Sequence, residues 1–376
     1  MLANILRFKI VIGLTVLLLV LIMISPFKAS LQNGIALEAN AHLNELMASP
    51  NSFLLSSPAP ISGGAKVEPE LLKTPIVTND ELNAWFDRSQ TQALIVQKKG
   101  RIIYERYSAD ADDGRNTNAM SMTKTIIAIL IGIAIDEGLI NSEKDSISLY
   151  LPEIKQLPTH AITLRDLLRH TSGIQSTSQD LRATLGGNPL ITPLSAISFK
   201  GDRSFRYDNI NYHLLSLALT RVYKKPLNRL IEDKLWHPLN LEKAAIINTT
   251  GYCCVFATAR SWLEIGNLFL NPTNGVVSSH WINKMVKDTL IPEWFFVQAT
   301  GKSAGNTYGY HLYGGLPELS EVFWIEGMGL QLVMINPQTQ TIIVRLGGIP
   351  SALNVFSNRY DSSIIAPLLK TLTTER

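Results

Sequence analysis

Cysteine is almost absent from this chain of 376 residues. Its only two cysteines, Cys253 and Cys254, are neighbours in the sequence. Adjacent cysteines rarely close an unstrained disulfide, so the sequence excludes a disulfide framework. We expect both to be small, buried apolar side chains.

A strong charge of either sign is also absent. The 34 Lys and Arg residues nearly balance the 31 Asp and Glu residues, which gives a net charge of +3. The basic residues form no stripe interleaved with aromatics, so we expect no nucleic-acid partner. Around His170 no second histidine or carboxylate falls at ligand spacing, so we expect no metal and no other cofactor. We interpret His170 as a structural residue.

One long apolar run stands out in a chain that has no internal repeat. It extends from Ile10 to Phe27 and follows Arg7 and Lys9. The run is long enough to cross or nearly cross a bilayer, and its basic flank places the N-terminus in the cytoplasm. No small-residue cleavage site follows it, so residues 1–28 are predicted to be a transmembrane anchor rather than a removed signal segment. We expect a bacterial inner-membrane protein with its main domain in the periplasm, or a secreted one if the segment is cleaved.

The segment after the anchor, residues 29–76, is predicted to be a tether. It is rich in proline, serine and glycine, with some local helix from Leu37 to Met47. Residues 77–376 are enough for one large globular domain with a sizeable core.

Strand patterns occur at both ends of this domain and helix patterns between them. Two β-rich runs, 93–97 and 101–105, flank Lys99-Gly100 as a hairpin. Further strands are predicted near residues 308–313, 321–325, 331–335 and 341–346, a helix over 361–372, and mainly helix over 121–270. We therefore predict an α/β (α+β) fold. One antiparallel sheet would join the two ends and be flanked by helices, with an inserted all-helical subdomain and a cleft between the two parts.

Ser121-Met122-Thr123-Lys124 opens the helical region. A spacing of three places both polar side chains on one helix face, so the lysine amine can reach the serine hydroxyl. A serine hydroxyl needs a neighbouring base to become a nucleophile, and a desolvated lysine can act as one. The apolar run from Ile126 to Ile135 predicts a buried helix that ends at Glu137-Gly138.

A helix-capping serine is the alternative reading of Ser121. A second S-x-x-K match, at residues 25–28, contains a proline and ends the apolar run, so it cannot be a site.

Tyr207-Asp208-Asn209 follows on a predicted loop that leads into a helix from Leu214 to Val222. A tyrosine beside a lysine can carry a proton between serine and leaving group. Asn209 can fix the lysine and a substrate amide by hydrogen bonds. By itself Tyr207 would be read as a half-buried packing residue, so its interpretation depends on Ser121 and Lys124.

These two motifs, in this order, resemble the serine β-lactamase and penicillin-binding-protein superfamily, in its class C-like branch. Within it the chain is most similar to the 6-aminohexanoate-dimer hydrolases. The likeness covers roughly residues 80–372, and the segments that carry it besides the two motifs are 164–174, 257–260, 327–331, 335–337 and 342–346.

The resemblance implies a β-lactamase/transpeptidase-like fold and an acyl-enzyme on Ser121, with Lys124 and Tyr207 as the acid/base pair. Asn209 would position the substrate, and the backbone N–H groups of Ser121 and Met328 would form the oxyanion hole beside Gly327. The substrate implied is a small linear amide or ester.

The chain departs from the superfamily pattern around Gly327. Penicillin-recognising members carry Lys-Thr-Gly on this strand, whereas here the nearest charged residue is Glu326. A substrate carboxylate would find no cation at that wall, which disfavours β-lactams. The related G-x-x-G-Q pattern keeps Gly327 and Gln331 here, but Leu330 stands in place of the second glycine.

Two alternatives remain open from the sequence. The first is a cell-wall D,D-peptidase or β-lactamase, which the predicted compartment favours and the missing basic triplet disfavours. The second is a membrane-tethered binding or sensor domain that keeps the fold without turnover, against which the complete set of Ser121, Lys124 and Tyr207 argues. The sequence names neither the natural substrate nor the oligomeric state.

Overall fold

A computed structural model describes most of the domain predicted over residues 77–376. The described residues are 59–64, 80–109, 116–154, 162–176, 197–247, 251–271, 273, 275–291, 307–316, 319–348, 368, 370 and 371. All of them belong to one compact unit, Asn44–Arg376. The predicted anchor and most of the predicted tether lie outside the described residues. None of the helices within these ranges is long and apolar enough to span a bilayer.

The described strands are β1 (Ala59–Ile61), β2 (Thr91–Lys98), β3 (Arg101–Tyr107), β4 (Thr117–Asn118), β5 (Ile174–Ser176), β6 (Ile197–Phe199), β7 (Ala244–Ile246), β8 (Val255–Ala257), β9 (Thr307–Gly309), β10 (Leu312–Leu316), β11 (Leu319–Gly327), β12 (Gln331–Asn336) and β13 (Thr341–Gly347). The described helices are α1 (Asp80–Arg88), α2 (Thr123–Asp136), α3 (Leu164–Leu168), α4 (Ile210–Tyr223), α5 (Leu227–Ile231), α6 (Ala259–Leu270) and α7 (Ser279–Lys287).

A seven-stranded antiparallel sheet, ordered β3-β2-β13-β12-β11-β10-β9, is the framework of the described fold. The predicted hairpin and the strands predicted near residues 321–325, 331–335 and 341–346 all belong to it. The single strand predicted near residues 308–313 is wrong, because a left-handed turn at Tyr310-His311 divides it into β9 and β10. The pairing of β2 with β13, for example Val96 with Ile343, joins the two ends of the domain as expected. Every residue of β12 and β13 is buried, because α6 packs on one face of these strands and an apolar cluster that includes Leu332 and Met334 fills the other.

The expectations of a single sheet and of an all-helical inserted subdomain are both wrong. The described residues form two further antiparallel sheets, one of four strands ordered β1-β7-β8-β4 and one made of β5 and β6. Their strands have only two or three residues, which is too short to show an alternating pattern in a region that is otherwise helical. One of them, β1, lies inside the predicted tether and pairs Ala59 with Ile246.

Helix α2 runs through the core. All twelve residues from Thr123 to Ala134 are buried, and Glu137 caps the helix, close to the predicted end. A helix that is apolar on every side is stable only when other elements surround it. Here α4, which begins at Ile210 and so earlier than predicted, packs against α2. From α7 the Trp281 indole donates a hydrogen bond to the Ala128 carbonyl at 3.0 Å. Of the predicted C-terminal helix, Leu368, Lys370 and Thr371 are described, and they are helical.

Candidate active site

Ser121 lies in a single 3₁₀ turn, Met120–Met122, immediately before α2. Met120 has a left-handed backbone with φ of 51°. The Asn118 side chain accepts a hydrogen bond from the Met120 N–H at 2.9 Å, and the Thr123 hydroxyl donates to the Met120 carbonyl at 2.8 Å. Neighbouring groups therefore hold an unfavourable backbone conformation next to Ser121, as is common at functional sites.

The structure brings Lys124 and Ser121 together as their spacing predicts. Lys124 Nζ lies 2.9 Å from Ser121 Oγ and donates a hydrogen bond to the Tyr252 carbonyl at 2.7 Å. The lysine is completely buried. Burial lowers the pKa of Lys124 well below its usual range, and the nearby Asp208 carboxylate raises it only in part. Burial thus favours the neutral amine, which is the form that can accept a proton from serine.

Tyr207 completes this group from the loop before α4. Its ring centroid lies 5.1 Å from Lys124 Nζ. Burial raises the pKa of Tyr207, while hydrogen bonding with Ser121 and Tyr313 lowers it and the Glu326 charge raises it further. Because burial is the largest effect, Tyr207 is a protonated phenol at neutral pH, placed to donate and pass on a proton rather than to act as a phenolate base.

His170 packs against Tyr207, which agrees with the interpretation of His170 as a structural residue. The two rings are stacked with centroids 4.6 Å apart. His170 Nδ1 accepts a hydrogen bond from the Asp208 N–H at 3.2 Å. Burial lowers the pKa of His170 well below its usual range, with a smaller contribution from Lys124. The histidine is therefore neutral, and it fixes the ring of Tyr207 and the backbone of the next residue.

Asn209 does not make its predicted contact with Lys124. Its Oδ1 atom is buried and has no hydrogen-bond partner among the described residues. The Tyr252 carbonyl takes the lysine instead. No sequence pattern marks a backbone carbonyl as a ligand, so this contact was not predicted. The role of Asn209 toward a substrate amide stays a prediction.

Strand β11 ends beside the nucleophile. A Cβ atom at Gly327 would lie 2.2 Å from the Ala119 carbonyl oxygen, so only glycine allows the strand to come this close. Met328, the predicted oxyanion residue, follows directly, and its side chain is 37% exposed. The close approach is what a shared oxyanion hole between Ser121 and Met328 requires.

His311 is a site residue that the sequence analysis missed. It is fully buried, and its Nε2 is hydrogen-bonded to the Glu326 carbonyl at 2.8 Å. Its own carbonyl accepts a hydrogen bond from the Thr125 hydroxyl at 3.2 Å. His311 therefore ties the helix of Lys124 to the strand of Gly327. A single histidine within a strand pattern carries no signal for such a role.

Glu326 is half-buried on β11 and accepts a hydrogen bond from the Trp324 indole at 3.0 Å. Burial raises the pKa of Glu326 to about 8. The carboxyl is therefore mostly protonated at neutral pH. A substrate carboxylate would therefore meet a negative charge here only above about pH 8.

Neither cysteine chemistry nor metal binding enters the described site. Cys253 and Cys254 are buried as expected, but the structure joins them in a disulfide, which is contrary to the expectation of two unbonded side chains. Cys254 has a left-handed backbone with φ of 80°.

Elsewhere, Glu232, Asp233 and His237 lie close enough together for a cation. Their carboxylates already pair with basic side chains, Arg229 and Lys225, so we assign no metal there.

Replacing Gly327 with alanine should lower turnover about 100-fold. The new methyl group would push β11 away from Ala119, and a shift of about 1 Å in a reacting geometry has an effect of this order. Gly314→Ala on β10 is a matched control, because its Cβ would meet the Thr307 hydroxyl at a tolerable 3.1 Å. Ester hydrolysis by both variants, with thermal unfolding as a check on folding, measures the difference. Equal activities would contradict a strict need for close approach at Gly327.

Replacing Lys124 with methionine should stabilise the protein, and most at the lower pH values. The pKa of Lys124 is lowered on folding, so the unfolded wild type binds more protons and its stability rises with pH toward the ordinary lysine value of 10.5. Methionine lacks this dependence. The stability difference between variant and wild type should therefore shrink as pH rises, by up to about 1.4 kcal/mol per pH unit. Urea unfolding between pH 7 and 9 measures it, and a difference independent of pH would mean that the folded lysine is charged.

Comparisons with known proteins concern the family and the fold of this chain. The Beta-lactamase family profile matches residues 86–362. A 6-aminohexanoate-dimer hydrolase from Paenarthrobacter ureafaciens is 23% identical over 342 residues, which span 77% of this chain and 83% of that protein.

Among solved structures, a putative 6-aminohexanoate-dimer hydrolase from Bacillus anthracis superposes with a TM-score of 0.67 at 16% identity, covering 88% of this chain and 92% of that one. A D-amino acid amidase from Ochrobactrum anthropi SV3 gives a TM-score of 0.60 at 13% identity, covering 78% of this chain and 97% of that one. At such identities the likeness concerns the fold, and it confirms the predicted β-lactamase/transpeptidase-like architecture. Because the family profile spans well over half of the sequence, from residue 86 to residue 362, the chain belongs to the Beta-lactamase family.

Proposed function

We propose that this protein is a serine hydrolase that forms an acyl-enzyme on Ser121 and cleaves small linear amides or esters. One observation carries the proposal: a completely buried lysine, Lys124, lies 2.9 Å from the serine hydroxyl at the start of a core helix. A cation at this position would be poorly solvated, so the site favours a neutral amine that accepts the serine proton.

The described residues can be assigned to the steps of acyl transfer. Lys124 accepts the Ser121 proton as the oxygen attacks the substrate carbonyl. The resulting ammonium is stabilised by the Tyr252 carbonyl at 2.7 Å and by the charge of Asp208. Tyr207, a protonated phenol hydrogen-bonded with Ser121, donates its proton to the leaving amine or alcohol and takes the proton held by the Lys124 ammonium, which restores the neutral amine. Water then deacylates the enzyme by the reverse path.

The oxyanion hole belongs to this proposal. The N–H groups of Ser121 and Met328 would hold the negative oxygen of the tetrahedral intermediate. The proximity of β11 to the nucleophile turn at Gly327 supports that assignment. Asn209, whose buried Oδ1 is unpaired among the described residues, is available to accept a hydrogen bond from a substrate amide.

The substrate class is inferred from the strand beside Gly327. Strand β11, Leu319–Gly327, carries no lysine or arginine that could bind a carboxylate. We therefore propose a substrate that has no carboxylate next to the scissile bond. The relative from Paenarthrobacter ureafaciens is named for a linear amide, 6-aminohexanoate dimer, and a substrate of that kind fits the proposal. Export through the predicted segment 1–28 is part of the same proposal.

A fluorophosphonate probe should label the purified protein on Ser121. The Ser121→Ala variant should keep its fold and lose the label, because the probe reacts only with an activated hydroxyl. Mass spectrometry of the labelled peptide identifies the position. Ser25→Ala, in the rejected second S-x-x-K match, is the matched control and should be labelled like the wild type. Undiminished labelling of Ser121→Ala would refute the assignment of the nucleophile.

The enzyme should hydrolyse p-nitrophenyl esters of short acids and 6-aminohexanoate dimer, and turn over nitrocefin poorly. Glu326→Gln should leave nitrocefin acylation nearly unchanged at pH 7 and raise it at pH 9. The reason is that the pKa of Glu326 is raised to about 8, so the carboxyl repels a substrate carboxylate only above that pH. Steady-state rates at both pH values provide the measurement. Efficient nitrocefin turnover by the wild type would instead favour a β-lactamase.

A further inference from the structure

Arg345 is a buried cation in the centre of the large sheet. It lies on β13 and is completely buried. No carboxylate pairs with it in the described part of the chain. Burial without an acidic partner lowers the pKa of Arg345 to about 9, which still leaves a cation at neutral pH. A buried charge without an ion pair is costly to desolvate, so its hydrogen bonds must compensate for that cost.

All five N–H groups of this guanidinium donate hydrogen bonds. Nη1 donates to the carbonyls of Gly329 and Leu330, at 2.6 and 3.1 Å. Nη2 donates to the carbonyls of Ser89 and Gly348, both at 2.8 Å, and Nε donates to the Thr91 hydroxyl at 3.0 Å. The side chain thus joins the β11–β12 turn to the start of β2, to Ser89 just before that strand, and to Gly348 just after β13.

The β11–β12 turn consists of Met328, Gly329 and Leu330, and two of its residues have left-handed backbones. The φ angles are 81° at Gly329 and 61° at Leu330. A left-handed conformation is available to glycine at no cost but is unfavourable for leucine. Leu330 stands where the related G-x-x-G-Q pattern has its second glycine. The turn therefore needs an external restraint, and Arg345 supplies one at the carbonyls of both left-handed residues.

Gln331 reinforces the same restraint from β12. Its Nε2 donates to the Gly347 carbonyl at 2.6 Å, and its Oε1 accepts from the Gly347 N–H at 3.0 Å. A weaker hydrogen bond from Nε2 reaches the Gly329 carbonyl at 3.4 Å. The turn is thus fixed from its inner side, while the Met328 side chain at its tip is exposed.

We propose that Arg345 is a positioning residue for catalysis, which fixes the Met328–Leu330 turn so that the Met328 N–H points at the substrate oxygen. The proposal rests on the acyl-enzyme mechanism and adds to it a residue that touches neither substrate nor nucleophile. The oxyanion donor acts on the transition state more than on bound substrate. Loosening the turn should therefore lower kcat and leave KM nearly unchanged.

The test compares Arg345→Lys with wild type on a p-nitrophenyl ester. Lysine keeps the charge but cannot make the five hydrogen bonds. Active sites are counted by fluorophosphonate titration, so loss of folded protein does not affect kcat. We expect kcat per titrated site to fall about 10- to 100-fold. The affinity for a boronic acid that mimics the tetrahedral intermediate should fall by a similar factor.

Arg260→Lys is the matched control. Arg260 donates two hydrogen bonds to Glu105, at 2.8 and 2.6 Å, away from the turn. This variant should lose thermal stability while its kcat per titrated site and its boronate affinity stay those of the wild type. If Arg345→Lys behaves in the same way, Arg345 is only structural and the proposal is wrong.

Gly329→Ala tests the turn if Arg345→Lys does not fold. Gly329 is half-buried at the turn with φ of 81°, so alanine strains the turn without leaving a cavity. The same loss of kcat and boronate affinity would support the proposal, and wild-type values would overturn it. A wild type that is not labelled at Ser121 would instead refute the hydrolase proposal itself. The two failures are therefore distinguishable.

Discussion

The described site depends on burying one lysine. Lys124 belongs to the first turn of a helix whose first twelve residues are all buried, so water cannot solvate an ammonium there. Burial therefore makes the amine a base, and the surrounding groups follow from that requirement. The Tyr252 carbonyl gives the amine a hydrogen-bond acceptor. The rings of Tyr207, Tyr212 and Tyr252, with centroids 5.1 to 6.0 Å from Nζ, exclude solvent while presenting faces that tolerate a transient positive charge.

The sequence predicted the structural elements whose conformation depends on residues close to them in the chain. The spacing of Ser121 and Lys124, the apolar helix after them and the hairpin around Lys99-Gly100 each depend on a few neighbouring residues, and the structure contains all three. The strands β1, β4, β7 and β8 were missed because each is only two or three residues long, and β1 and β4 pair with strands more than a hundred residues away. Short strands acquire their conformation from the sheet that they join.

The candidate site also has features that the sequence predicted and features that it could not predict. The sequence identified three side chains that the structure brings together, those of Ser121, Lys124 and Tyr207. It could not identify the Tyr252 carbonyl, since every residue has one, or the link made by His311 between α2 and β11. The raised pKa of Glu326 could not be predicted either, because burial causes it and the sequence does not show how far the carboxyl is buried. Tertiary packing decided each of these features.

The pairing of β2 with β13 has a consequence for synthesis. A ribosome makes about 5 to 20 residues per second, so β2 leaves it roughly 10 to 50 s before its partner strand is complete. During that interval α2 and Ser121 already exist, but β11, β12 and β13 do not. The nascent chain therefore contains Ser121 well before β11, the strand that lies beside it, has been made. The candidate site can be assembled only late in synthesis, after residues 319–327 have been added.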